Sequence, residues 1–278
     1  MSLRSFRSLV VVLAGCIVAA PAAQESSETA RSKTFDQLLD LYVRNGDVYY
    51  RALKSERARL DGFAHMLATA SVDGLPRDEQ MAFWLNAYNA LVLRTVVDHY
   101  PIQGRATEYP AKSIRQISGA FERLPHRVAG RTMTLDQIET TVLAGFHDPR
   151  VYFAIGRGAA GSGRLRSEAF VSSRIEEQLA DVAAECVNRR QCIAIDRENG
   201  KVSVSAIFSW REKEFVAAYA DKATAVFAAR SPIERAALAF VQPKLLATEK
   251  EFINKNAFQV TYSTFDWTLN DLTGRGGR

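Results

Sequence analysis

Histidine and cysteine are scarce: the 278-residue chain holds 4 and 3 of them. No H-E-x-x-H pattern, cysteine cluster or histidine pair gives metal-ligand spacing, so no metal site is expected. G-x-x-x-x-G-K-[ST] is absent; Gly156-Arg157-Gly158-Ala159-Ala160-Gly161 has the G-x-G-x-x-G spacing, but no helix opens on it, the next starting only near Ser173, so the dinucleotide-binding context is not met and no cofactor is expected. An excess of one charge is lacking too. The formal net charge of +5 falls to +3 without Arg4 and Arg7, and no finger, basic-helix or RNA-binding signature accompanies it, so nucleic acid is not an expected partner. Beyond the N-terminus no apolar run approaches the roughly 20 residues that cross a bilayer.

The N-terminus carries Arg4 and Arg7, then Val10, Val11, Val12, Leu13, Ile17 and Val18, then Ala20-Pro21-Ala22. A charged start, a short apolar middle and an A-x-A-like exit describe a secretory signal peptide over residues 1–22. The expected location is therefore periplasmic or secreted. The alternative is a membrane-anchored lipoprotein: Leu13-Ala14-Gly15-Cys16 resembles a bacterial lipobox, and a lipid on Cys16 would be the only tie to a membrane. Residues 23–33, rich in Ser, Glu, Thr and Ala, read as a disordered leader. After export Cys186 and Cys192 remain, and an even count in an oxidising compartment suggests a disulfide, with two buried thiols as the alternative.

The stretch that organises the rest is Phe83-Trp84-Leu85-Asn86-Ala87-Tyr88-Asn89-Ala90-Leu91, apolar nearly all round and read as a buried helix over residues 76–99. Its Asn86 and Asn89 share a face and need hydrogen-bond partners there. Thr34-Phe35-Asp36-Gln37 looks like a capping box opening a first helix, Asn45-Gly46 ends it, and a second helix is expected over residues 52–70. Residues 126–133 read as a tight hairpin, and Thr134-Leu135-Asp136-Gln137 as a second capping box. The apolar run 151–155 reads as a central strand, followed by a glycine-rich loop over 156–164 and a helix from Ser172 or Ser173 to about Val187. Residues 192–195 and 201–204 pair as a hairpin, Ser231-Pro232-Ile233-Glu234 starts a late helix, and residues 260–262 and 266–267 are extended. Helices, hairpins and short strands in mixed order predict one α+β domain over residues 34–271: a buried central helix, surrounding helices, hairpins and a small sheet, with a flexible tail over 272–278.

Several motifs together resemble the domain-of-unknown-function 547 family of bacteria and plants. They are Gly46-Asp47-Val48-Tyr49-Tyr50, the central-helix stretch, His99-Tyr100-Pro101, Leu135-Asp136-Gln137-Ile138-Glu139, Asp148-Pro149-Arg150, Leu165-Arg166-Ser167-Glu168-Ala169-Phe170, and Tyr262 with Asp266-Trp267-Thr268-Leu269-Asn270-Asp271. They run in family order over residues 34–271, so the chain reads as an exported bacterial member. The resemblance implies two cysteines and a proline in the glycine-rich loop and a histidine after the Ile-Glu pair. Here those places read Arg157, Ser162, Gly163 and Thr140.

The resemblance names no reaction, and the residues leave open whether the protein is an enzyme. The first expectation is a binding or interaction domain with a polar cleft between the central helix, the 134–143 helix and the 156–168 loop. Asn86, Asn89, Glu139, Arg166 and Glu168 would bind a small polar ligand or a protein partner, with Arg166 pairing with Glu139 or Glu168. The second is a hydrolase that uses Ser162 as nucleophile, or Glu139 with a histidine such as His99 as an acid–base pair. The third is a purely structural scaffold. Glycines in the 156–164 loop suit either close approach of a ligand or a tight turn beside the core.

Overall fold

The structure, a computed structural model, describes residues 26–272; the expected signal peptide, Cys16 and most of the expected tail lie outside the described residues. Among them it is an α+β domain of eleven α-helices and three small sheets. Helix α1 (Ser27–Tyr42) begins seven residues before the expected Thr34. Ser26 is the cap, its hydroxyl accepting from the Thr29 N–H, while Thr34 lies inside the helix and bonds back to the Ala30 carbonyl. The expected leader is thus helical from Ser27, because a Ser cap and a buried face that runs through Phe35, Leu38, Leu39 and Tyr42 outweigh the polar composition. Asn45 and Gly46, at φ 53° and 90°, form the two-residue turn between β1 (Val43–Arg44) and β2 (Asp47–Val48), a turn that needs φ > 0 at both places. The expected 52–70 helix is two pieces, α2 (Tyr50–Ser55) and α3 (Ala58–Thr69).

Helix α4 (Arg77–His99) follows Pro76 and runs through the centre, with every residue from Met81 to Leu93 buried. The hairpin β3 (His126–Val128) and β4 (Arg131–Met133) lies against α3, where Ala129 and Gly130 donate to the Leu67 and Ala68 carbonyls. Thr134 and Gln137 form the expected capping box on α5 (Leu135–Gln137). The chain then widens into a π-helical turn, Ile138–Leu143, which carries Glu139 into the interior.

Residues 151–155 are not a strand. They form α6 (Val151–Ala154), a single buried helical turn begun by Asp148 and Pro149, with the Val151 N–H donating to the Asp148 carbonyl. A five-residue apolar run is too short to show either periodicity, and the Asp-Pro start decides it. Helix α7 (Ile175–Val187) leads through the disulfide Cys186–Cys192 into β5 (Ile193–Asp196), as expected from the spacing. Strand β6 (Lys201–Val204) pairs antiparallel with β5, α8 (Ala206–Trp210), α9 (Glu212–Tyr219), α10 (Pro232–Val241) and α11 (Ala247–Asn254) follow, and β7 (Gln259–Tyr262) returns parallel to β6. The 266–272 segment then straps the glycine-rich loop. Ala160 and Gly161 donate to the Thr268 and Asp266 carbonyls, Leu272 donates to the Val48 carbonyl, and Val48 donates to the Asn270 carbonyl. No helix among the described residues is long and apolar enough to cross a membrane.

Candidate functional site

The polar cleft expected beside α4 is filled. Asn86 spends its amide on one residue, donating to the Phe170 carbonyl and accepting from the Phe170 N–H, both at 2.8 Å. Asn89 does the same across α6, donating to the Ala154 carbonyl at 3.2 Å and accepting from the Gly156 N–H at 2.8 Å. Each amide acts as a piece of sheet edge for a segment that has no strand to pair with.

Glu139 is 6% exposed and is held by three donors. Tyr88 Oη lies 3.0 Å from Oε2, Arg157 Nη2 2.5 Å and Arg211 Nη2 2.6 Å from Oε1. Arg157 is itself buried and also donates to the Tyr152 carbonyl, while Arg211 lies over the Tyr152 ring. Burial pushes the Glu139 carboxyl up, but the two guanidinium groups outweigh it and hold it below the ordinary range. Burial and the neighbouring carboxylate push the Tyr88 phenol well up. An ionised carboxylate saturated by charged donors is a poor proton acceptor, and no histidine is among its partners. Arg166 turns the other way: it pairs with Glu168 and reaches Glu185 at 3.4 Å, pinning the loop to α7. Glu168 also meets Arg174 at 3.3 Å. The five expected ligand-binding residues therefore divide between two backbone clamps and two ion-pair clusters, and do not converge on a cleft.

Ser162 is buried at 4% exposure, and its hydroxyl accepts from the Arg157 N–H at 2.9 Å. The small cavity it lines carries Arg164, Arg189 and Gln191 but neither a histidine nor a carboxylate. His99 closes the last turn of α4 on the Thr95 carbonyl, 2.8 Å away. The loop's glycines make room for its own chain. A Cβ on Gly163 would stand 1.7 Å from the Phe153 carbonyl oxygen, and one on Gly161 2.6 Å from the Asp266 nitrogen.

An open cleft of about 340 Å³ lies where the strap leaves that loop. Arg51, Tyr100, Ile102, Lys112, Leu269 and Asp271 are among its lining residues. Tyr100 donates to Asp271 at 2.8 Å, and behind it Tyr50 donates to Asn270 at 2.9 Å, while Asn270 donates to the Gly46 carbonyl at 2.7 Å. Arg51 and Lys112 are exposed at the rim and make no side-chain hydrogen bond or ion pair among the described residues. Three of the motifs read from the sequence, at 46–50, 99–101 and 266–271, thus meet in one place. Sequence reasoning had singled out the motifs without seeing that they share a cleft; Arg51 and Lys112 carried no signal. The Arg157 partner of Glu139 stood in a place already marked as a departure, and Arg211 was unmarked.

No curated protein and no solved structure matches this chain. Residues 72–187 match the family model described as "Protein of unknown function, DUF547". That span takes in α4, Glu139 with its partners Tyr88 and Arg157, the glycine-rich loop and α7, and over it the chain is similar to the domain-of-unknown-function 547 family.

Proposed function

We propose that the protein is a binding domain whose small polar ligand sits in the Tyr100–Asp271 cleft and carries an anionic group. The observation behind this reading is the convergence of Arg51, residues 100–104, Leu269 and Asp271 on one open cleft with two unpaired cations, Arg51 and Lys112, at its rim. Arg51 and Lys112 suit the anionic group, Asp271 suits a hydroxyl or amine, and Ile102 and Leu269 suit an apolar body. The Glu139 cluster and the 156–164 loop serve in this reading as scaffold. The disulfide supports work in an oxidising compartment, in line with the signal pattern of residues 1–22.

The test is a thermal-shift screen of small carboxylates and phosphate esters against the full mature chain. A true ligand at a hundred times its Kd stabilises the fold by about 2.7 kcal/mol. That shift is expected to vanish in Lys112→Ala and Arg51→Ala. A hit left intact by both substitutions, or no hit at all, would reject the reading.

A further inference from the structure

The three-stranded sheet runs β5-β6-β7, so β5 is an edge. Which of its backbone groups face outward follows from the ladder. Gln259 donates to the Gly200 carbonyl and Ser263 to the Val204 carbonyl, both at 2.8 Å, which turns Gly200, Val202 and Val204 toward β7. Ser203 and Lys201 then face β5, in step with the Ser205 N–H that reaches the Cys192 carbonyl. Their partners Ala194 and Asp196 face inward, and Ile193 and Ile195 face out. The Ile193 N–H is taken by the Arg189 carbonyl at 3.1 Å. The Ile193 carbonyl and both polar groups of Ile195 remain on the free edge.

That edge borders a groove of about 380 Å³ whose far wall includes Lys244, Leu246 and Glu249. Four cations line it, Arg189, Arg190, Arg197 and Lys244, against one carboxylate. The carboxylate is occupied: Glu249 accepts from the Leu246 N–H at 2.9 Å and caps α11. Arg190 makes no hydrogen bond or ion pair among the described residues, Arg197 reaches only the Thr248 hydroxyl at 3.3 Å, and Lys244 lies over the Phe240 ring. Arg189 and Arg190 sit in the short loop closed by the Cys186–Cys192 bond, which fixes them beside β5. An edge strand in need of a partner, beside cations in need of counter-charges, selects an occupant that supplies both. A second copy docked edge to edge would set these four cations against one another, so the charge rejects self-pairing.

We propose that this groove takes an acidic, extended segment of a partner protein, added as a strand to the free edge of β5, its carboxylates pairing with Arg190, Arg197 and Lys244. The groove shares no lining residue with the Tyr100–Asp271 cleft, so the two readings stand or fall separately.

The probe is a fluorescein-labelled peptide of alternating Glu and Val, seven residues long, titrated by anisotropy against the disulfide-intact chain. Two control peptides carry Lys in place of Glu, or N-methyl groups on alternate backbone nitrogens. Binding of the Glu peptide is expected to weaken at least about tenfold with N-methylation and in the Arg190→Glu/Arg197→Glu variant, and to be absent for the Lys peptide. The N-methyl comparison uses the unaltered protein and does not depend on the variant folding. Equal binding of the N-methylated peptide would overturn strand addition, equal binding of the Lys peptide would overturn the charge argument, and no binding of the Glu peptide would overturn both.

Discussion

Glu139 and Asp271 are both buried carboxylates that accept from a tyrosine hydroxyl, Tyr88 on one and Tyr100 on the other. Around Glu139 the counter-charges are inside: Arg157 is as deeply buried as the carboxylate, and Arg211 closes the remaining side. Beside Asp271 two cations, Arg51 and Lys112, stand exposed at the rim of an open cleft. A carboxylate whose positive partners come with the fold is a fastener, because burying it unpaired would cost several kcal/mol. Cations that stand at the rim of an open cleft without a counter-charge leave their pairing to something that arrives later. The two sites use the same chemistry and differ in where neutralisation is completed.

Substitutions on the Glu139 side should be the costly ones. Glu139→Gln leaves Arg157 buried without its counter-charge and is expected to lose about 3–5 kcal/mol in urea unfolding at pH 7, with less loss in the Glu139→Met/Arg157→Met double variant. The same pair sets an acid limit. Its folded-state pKa lies below that of an unfolded glutamate, so its contribution is present above about pH 4–5 and lost as pH falls through the folded value. A Glu139→Gln chain should therefore show a flatter stability profile below about pH 5; a profile parallel to the parent would break the comparison. Next in size is Asn89→Ala, which orphans the Gly156 N–H and the Ala154 carbonyl and should cost about 2–3 kcal/mol by the same measurement. On the Asp271 side Lys112→Ala should stay within about 0.5 kcal/mol of the parent. A larger loss there would mean that Lys112 is a fastener too, and the contrast would fail.

Much of the architecture was legible because its signals are local. The buried α4, both Thr134 and Ser231 capping boxes, the 126–133 hairpin and the disulfide position each rest on residues within a few places of one another. The site was less legible because its partners are far apart in the chain. Glu139 is separated by 72 residues from Arg211, and Tyr100 by 171 from Asp271. Nothing at Asn86 or Asn89 says that a polar side chain in an apolar run will serve backbone rather than ligand. The short run 151–155 failed for a different reason: five apolar residues fit a strand and a helical turn equally well, and only the preceding Asp-Pro discriminates.

The strap over the loop has a consequence in time. Residues 266–272 come after every helix and strand described above, yet they cover the loop at 158–161, complete the pairing of Val48 and supply Asp271. A nascent chain that stops short of Asp266 has α4 and the Glu139 cluster in full, and has neither a covered loop nor a cleft. An early turn waits on a late segment: Gly46 in the 45–46 turn gains its Asn270 contact only once residue 270 has been made.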